Sequence, residues 1–120
     1  MVTPSPKSEN EMTPIEIDVQ AAKQLLDESA DFLLIDCREE NEYEYCHIEG
    51  SVLIPMNETP NRVSELESKK DSPIVVHCHH GGRSLQVVQW LRSQGFSKAQ
   101  NMTGGIDVWS QLIDPNVPRY

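Results

Sequence analysis

The sequence predicts an α/β fold, a three-layer sandwich with a central, mostly parallel sheet and helices on both faces. Three observations support this fold class. Short apolar runs typical of buried strands alternate with segments whose apolar residues recur at helical spacing. The chain has 120 residues, which suits one domain with one core. Its composition, 38% hydrophobic and 24% charged, is ordinary for a globular protein.

The first half of the chain is predicted to form a strand, a helix, a strand, a short helix and a strand. A short extended piece precedes a helix whose expected N-cap is Asp18. The apolar run 32–35 predicts a strand that is buried on both faces and ends at Asp36. A short helix is predicted within 38–45, and "SVLIP" predicts a strand that Pro55 ends. The inward face predicted for the first helix comprises Val19, Ala22, Leu25 and Leu26.

The second half continues this alternation. A helix is predicted over 59–69 with Pro60 in its first turn, and "SPIVVHC", residues 72–78, predicts the third buried strand. The next helix is predicted over 83–94 and is ended by Gly95. The last strand and helix are predicted within 98–102 and 104–113. Inward-facing residues predicted for these helices are Val63, Leu66, Leu85, Val88, Leu91, Ile106, Trp109 and Ile113.

The net charge of −9 disfavours several kinds of partner. Residues 1–50 carry 13 Asp and Glu but only three Lys and Arg, whereas residues 51–120 carry six and seven. An acidic chain is a poor binder of nucleic acid or of an anionic membrane surface, so no such partner is expected. No apolar stretch approaches the length of about 20 residues that spans a bilayer.

The N-terminal segment differs from the rest in composition. Residues 1–11 are polar and contain two prolines, which predicts a disordered leader in front of a domain over 12–120. Because this segment lacks the apolar centre of a secretory signal, the expected location is cytoplasmic.

The three cysteines, Cys37, Cys46 and Cys78, do not indicate a disulfide framework. Their number is odd, and no CxxC pair is present to support a zinc-ribbon or thioredoxin-like interpretation. Cys37 is interpreted as packing at a strand end, with a resolving thiol for Cys78 as the alternative. Cys46 is interpreted as structural or surface.

Cys78 stands where a predicted strand ends and a glycine-containing loop leads into a helix. Gly81 and Gly82 allow the backbone to curl around the sulfur, so that successive N–H groups form an anion-binding nest. The helix adds the positive end of its dipole, Arg83 adds charge, and Ser84 is expected to cap the helix. A cysteine in this environment is expected to be a nucleophilic thiolate that can carry a covalent, anionic adduct.

An inert thiol and a metal site are two other interpretations of this segment. An inert buried thiol is the general alternative, since free cysteine packs like a small apolar residue, but the strand, loop and helix around Cys78 favour chemistry. The run "HCHH", residues 77–80, suggests metal binding only weakly, because adjacent residues seldom reach one ion. No metal and no cofactor are therefore expected. "NMTGG", residues 101–105, is interpreted as a tight turn near the same pocket.

Three stretches resemble the rhodanese domain of the sulfurtransferase family: "LLIDCREENEYEYCHIEGSVLIP", "IVVHCHHGGRSLQVVQWLRSQGF" and "NMTGGIDVW". The resemblance covers residues 12–114 and implies a rhodanese-like sandwich in which Cys78 carries a persulfide. It implies that backbone N–H groups of the loop hold the outer sulfur, and that Asp36 and Arg38 form a supporting ion pair. Glu42 and His47 also fall on family positions. The loop residues so implicated are His79, His80, Gly81, Gly82, Arg83 and Ser84.

The resemblance implies a double displacement. The Cys78 thiolate takes the outer sulfur of thiosulfate or a similar donor, and cyanide or a thiol then accepts it. The chain departs from the family at Cys46, where a glycine is common, and at His79 and His80, where some thiosulfate-using members have basic residues. Affinity for thiosulfate is then expected to depend on Arg83 and the loop backbone.

Two other functions remain as alternatives. The ending "DPNVPRY" resembles that of rhodanese domains attached to sulfur-carrier activating proteins, which favours a sulfur-relay module serving a dedicated acceptor protein. Phosphatases that share the fold resemble Cys-x5-Arg, and their longer loop admits a tetrahedral phosphate. The shorter Cys-x4-Arg of this chain, from Cys78 to Arg83, disfavours a phosphatase or arsenate reductase.

Overall fold

The computed structural model describes residues 13–28 and 31–120. The predicted leader, residues 1–11, lies outside the described residues. Five strands form one sheet in the order β1-β5-β4-β2-β3, and every pair of neighbours is parallel. The strands are β1 Glu16–Ile17, β2 Leu33–Asp36, β3 Val52–Leu53, β4 Ile74–His77 and β5 Ala99–Met102.

Helices cover both faces of the sheet, which confirms the predicted three-layer α/β sandwich. The α-helices are α1 Val19–Glu28, α2 Glu40–Tyr45, α3 Thr59–Arg62, α4 Gly82–Ser93 and α5 Gly105–Leu112. On one face, α4 and the segment around Leu66 pack on a core that includes Ile35 and Val76. On the other, α1 and α5 pack on a core that includes Leu34 and Val75. Strand residues alternate between the two cores because successive side chains of a strand point to opposite faces.

The structure confirms the predicted start of α1 at Asp18 and the predicted end of α4 at Gly95. The backbone N–H of Ala21 donates to the Asp18 carboxylate at 2.8 Å, as expected of an N-cap. Gly95 has a φ of 99°, and the N–H of Phe96 donates to the carbonyl of Leu91 at 3.0 Å, closing α4.

The predicted helix over 59–69 is only partly α-helical. It consists of α3 followed by a 3₁₀ segment, Val63–Lys69. Val63 and Leu66 both face the core, and their three-residue spacing suits a 3₁₀ helix, in which residues i and i+3 lie above one another. The prediction that Ser84 caps α4 is wrong. The N-cap is Gly81, and Ser84 lies within the first turn of the helix.

The strand order brings three chain segments to one edge of the sheet. Because all five strands are parallel, their carboxyl ends meet at one edge. The residues that follow β2 and β4 therefore lie beside Asn101 and Met102 near the end of β5. This edge is where open α/β sheets bind ligands. Within the described residues, no helix is long and apolar enough to span a membrane.

Candidate active site

Cys78 follows β4 directly, and its sulfur is enclosed by the loop that leads into α4. The backbone N–H groups of Gly81 and Ser84 donate to this sulfur at 3.1 and 3.4 Å, and the Ser84 hydroxyl lies 3.3 Å from it. Only 1% of the surface of Cys78 is exposed. The start of α4 at Gly82 directs the positive end of the helix dipole toward the same atom.

The two loop glycines have different roles. Gly81 has a φ of 116°, a left-handed conformation that residues with a Cβ rarely adopt, so glycine is needed there to turn the chain around the sulfur. Gly82 has no positive φ, and a Cβ added to it would meet no atom within 4 Å. The curl of the loop therefore depends on Gly81.

Hydrogen bonds lower the pKa of Cys78 to about 4. The largest cause is a hydrogen bond from the thiol of Cys37, followed in the same direction by the hydroxyl and N–H of Ser84 and the N–H of Gly81, while burial acts the other way. The same hydrogen bond, together with burial, raises the pKa of Cys37. At neutral pH the pair holds one proton, which stays on Cys37, and Cys78 is a thiolate.

Asn101 of β5 supports the loop, and sequence reasoning did not single it out. Its side-chain oxygen accepts a hydrogen bond from the Ser84 hydroxyl, and its amide donates to the carbonyl of Gly81 at 3.2 Å and to Glu16 at 3.1 Å. The only signal in the sequence was a polar residue within the predicted strand 98–102. Through Asn101, the neighbouring strand fixes both Gly81 and Ser84.

The first turn of α5 also supports the loop that encloses the sulfur. The backbone N–H groups of Ile106 and Asp107 donate to the carbonyls of Cys78 and His79 at 2.9 and 3.1 Å. A Cβ on Gly105 would lie 2.5 Å from the Cys78 carbonyl oxygen and still closer to that of His79. Glycine at 105 thus permits a close approach between the two loops.

Asp36 and Arg38 form a fully buried ion pair at the end of β2. The Arg38 Nε donates to Oδ1 of Asp36 at 2.9 Å, and Nη2 donates to Oδ2 at 2.6 Å. Arg38 also donates to the carbonyl of Cys46 at 2.7 Å and to the hydroxyl of Tyr120 at 2.9 Å. These contacts join the end of β2 to the segment after α2 and to the C-terminal residues.

Arg83 pairs with Glu42 of α2. Its two terminal nitrogens donate to the two carboxylate oxygens at 2.8 and 3.1 Å. This pairing is the main cause that lowers the pKa of Glu42 to about 2 and raises that of Arg83. Tyr120 donates to the same carboxylate at 2.7 Å. The positive charge predicted at the rim is therefore largely neutralised.

The two histidines of the loop lie at its outer side. The ring of His79 stacks on Tyr120 at a centroid distance of 3.9 Å, and burial lowers the pKa of His79. His80 is exposed and lies 3.9 Å from the carboxylate of Asp107. His47 stacks on Tyr43 at 4.1 Å. Among residues 13–28 and 31–120, no three His, Cys, Asp or Glu side chains are grouped as metal ligands.

The Rhodanese-like domain family matches residues 18–112, most of the chain. The chain belongs to the rhodanese-like family. The fold of this rhodanese-like domain is thus that of the family that the sequence motifs had already suggested.

Three curated relatives are similar to this rhodanese-like domain. The Arabidopsis thaliana Rhodanese-like/PpiC domain-containing protein 12, chloroplastic, is 42% identical over 72% of the chain, and the putative sulfur carrier protein YrkF of Bacillus subtilis is 37% identical over 86%. A sulfurtransferase of Allochromatium vinosum is 35% identical over 80% of the chain and 88% of its own length. The chain spans only 30% and 55% of the length of the first two.

A solved structure agrees with the fold of the rhodanese-like domain. The rhodanese-like domain protein from Staphylococcus aureus superposes with a TM-score of 0.75 at 27% identity. The match covers 89% of this chain and 99% of that one.

The protonation of Cys78 gives a testable prediction. We expect the ultraviolet absorbance of its thiolate, measured as wild type minus Cys78→Ser, to appear with a midpoint near pH 4. Ser84→Ala removes a donor to the thiolate and raises that midpoint by about one to two pKa units, since a hydrogen bond to a charged group contributes about 1.5–3 kcal/mol.

Ser93→Ala is the matched control, because that hydroxyl is exposed and donates to the carbonyl of Trp90 at the far end of α4. An unchanged midpoint in Ser84→Ala would contradict a hydrogen bond from the Ser84 hydroxyl to the Cys78 thiolate.

The stability of the fold should also depend on pH through Cys78. Because the pKa of Cys78 lies below its ordinary value of 9.0, its contribution to stability is full above about pH 9. That contribution is lost as the pH falls through about 4.

Proposed function

We propose that this domain is a sulfurtransferase that moves a sulfane sulfur from thiosulfate or a similar donor to cyanide or a thiol through a Cys78 persulfide. The observation that carries the proposal is the sulfur of Cys78, enclosed by the N–H groups of Gly81 and Ser84 and held as a thiolate. A thiolate is the nucleophilic form of cysteine. The same donors suit the negative charge of a persulfide.

The proposed reaction has two displacements. The Cys78 thiolate attacks the outer sulfur of thiosulfate, the sulfur–sulfur bond of the donor breaks, and sulfite leaves with the electron pair. Cyanide or a thiolate then attacks the outer sulfur of the Cys78 persulfide and restores the thiolate. In this proposal His79, His80, Gly82 and Arg83 complete the loop around the transferred sulfur. Asp36 and Arg38 hold the adjacent strand end in place.

The pairing of Arg83 bears on the choice of donor. Because Glu42 binds both terminal nitrogens of Arg83, a thiosulfate dianion must compete with a carboxylate for that cation. We therefore expect weak affinity for thiosulfate and more efficient charging by a less anionic persulfide donor.

We also propose a cytoplasmic location, which is supported by three free cysteines, since reducing compartments preserve free thiols.

Intact mass spectrometry tests the proposal. We expect the reduced protein to gain the mass of one sulfur atom on incubation with thiosulfate or a small organic persulfide, and to lose it on addition of cyanide. Cys78→Ser gains nothing. Cys46→Ser is the matched control, because Cys46 is a buried cysteine in the other core whose thiol donates to the carbonyl of Pro118. Absence of a sulfur gain with every donor, in the wild type and in Cys37→Ser alike, would overturn the proposal.

A sulfur-relay module is the second candidate function. It is favoured by the similarity to the putative sulfur carrier protein of Bacillus subtilis. The two candidates differ in turnover: a relay module charges fully at Cys78 but reacts slowly with cyanide and small thiols. Hydrolysis of an aryl phosphate, abolished in Cys78→Ser, would instead support phosphatase chemistry.

A further inference from the structure

Cys37 and Cys78 occupy equivalent positions at the ends of neighbouring strands. Asp36 of β2 is aligned with His77 of β4, and the N–H of Cys37 donates to the carbonyl of His77 at 3.0 Å. Each cysteine is the next residue after that aligned pair. Neighbouring strands lie about 4.7–4.9 Å apart, within the Cα separation of about 4.4–6.8 Å found in disulfides.

The side chains of the two cysteines also point to the same face of the sheet. Cys37 and Cys78 belong to the same core cluster as Ile35 and Val76, two residues earlier on each strand. The two thiol groups are thus neighbours in one core. The interaction with the Cys37 thiol is also the largest cause that lowers the pKa of Cys78.

The surroundings of the pair favour an internal reaction. Cys37 and Cys78 are 0% and 1% exposed, so the inner sulfur of a Cys78 persulfide is reached more readily by a buried neighbouring thiol than by an external one. A thiol on the neighbouring strand end reacts without the entropy cost of bringing two molecules together. Cys46 has no such position, because it packs in the core on the opposite face of the sheet.

We propose that Cys37 is a resolving thiol that discharges the Cys78 persulfide inside the protein and releases hydrogen sulfide. This inference rests on the proposed persulfide chemistry. The sulfur of Cys37 attacks the inner sulfur of the persulfide, the sulfur of Cys78, and a Cys37–Cys78 disulfide bond forms. The bond between the Cys78 sulfur and the outer sulfur breaks, and its electron pair leaves with the outer sulfur.

The step balances without an external oxidant. The outer sulfur is reduced to sulfide, and the two cysteines are oxidised to the disulfide. The proton of Cys37 leaves with the departing sulfur. The donors of Gly81 and Ser84, which surround the Cys78 sulfur, lie where they can stabilise negative charge on the leaving atom. A dithiol reductant returns both cysteines to the reduced state for another cycle.

The experiment follows the sulfur atom added to Cys78 after the donor has been removed. Wild type, Cys37→Ser and Cys46→Ser are charged with a small organic persulfide under anaerobic conditions, desalted, and followed by intact mass and by sulfide release. We expect wild type and Cys46→Ser to lose the extra sulfur, release hydrogen sulfide, and become lighter than the reduced protein by two hydrogens. Unreduced peptide mapping should then join Cys37 to Cys78.

Cys37→Ser is expected to keep the added sulfur until cyanide is added. The disulfide form, two hydrogens lighter than the reduced protein, should not appear in this variant. Cys37→Ala gives the same readout if a buried hydroxyl at this position prevents folding. Wild type that keeps its sulfur as long as Cys37→Ser, without a disulfide, would overturn this inference but leave the proposed function intact. Failure of every variant to gain sulfur would overturn both.

Discussion

Replacing Arg38 with methionine is expected to lower the free energy of unfolding by about 3–5 kcal/mol, because it leaves a buried charge without its partner. Both side chains of the Asp36–Arg38 pair are 0% exposed. Arg38 gives Asp36 hydrogen bonds from Nε, from Nη2 and from its backbone N–H, and only the last survives the substitution. Urea unfolding followed by circular dichroism measures the change.

Two variants control this prediction. Arg62→Met also removes a paired arginine, but Arg62 is 32% exposed and its partner Glu65 is 55% exposed. A surface pair of this kind contributes about 0–1 kcal/mol. The double variant Asp36→Asn with Arg38→Met removes the orphaned charge and should recover part of the stability. An Arg38→Met protein as stable as the Arg62→Met protein would show that the buried pair does not stabilise this edge of the sheet.

Replacing Gly105 with alanine is expected to lower the free energy of unfolding by about 2–4 kcal/mol, from overpacking and a left-handed backbone. The φ of Gly105 is 62°, and the new methyl group would lie 2.5 Å from the carbonyl oxygen of Cys78. Because the Cys78 carbonyl belongs to the loop that encloses the sulfur, that loop must shift to make room for the methyl group. We therefore expect slower charging of Cys78 as well as lower stability.

Gly82→Ala is the matched control for Gly105→Ala. Gly82 lies in the same site, but an added Cβ meets no atom within 4 Å, and its φ is not positive. Since alanine restricts the unfolded chain without straining the fold, we expect this variant to be equal in stability or more stable by about 0.4–1 kcal/mol. Equal urea midpoints for Gly105→Ala and Gly82→Ala would contradict the close approach of the two loops.

The position of Cys78 was predictable because its signals are local. An apolar run, a cysteine, two glycines and a helical pattern follow one another within 74–91, so the strand end, the turn and the helix start are all encoded there. The wrong prediction for Ser84 has a local cause too. Serine is a common N-cap, but Gly81, in a left-handed conformation, already takes that place. Ser84 lies inside the first turn instead, where its hydroxyl is within hydrogen-bond distance of both Asn101 and the Cys78 sulfur and shares its one hydrogen between them.

The proximity of Cys37 to Cys78 was not predictable from spacing. The two cysteines are far apart in the chain, and only the pairing of β2 with β4 makes them neighbours. The alternation of side chains places each cysteine on one face of its own strand. The register between the strands decides whether the two cysteines lie side by side on the same face of the sheet. The sequence left packing and a resolving role open for Cys37. The tertiary structure packs it in the core that also holds Cys78, and the resolving role stays a proposal.

The sequence by itself determined the α/β alternation, the strand that ends before Cys78 and the loop that starts α4, because hydrophobic period and turn chemistry are properties of short segments. Only the tertiary structure decided which distant residues complete the site. Asn101 reaches Ser84, Gly105 lies against the Cys78 carbonyl, and Glu42 binds Arg83. These contacts depend on the strand order β5-β4-β2 and on how the helices pack over it, and no local pattern specifies either.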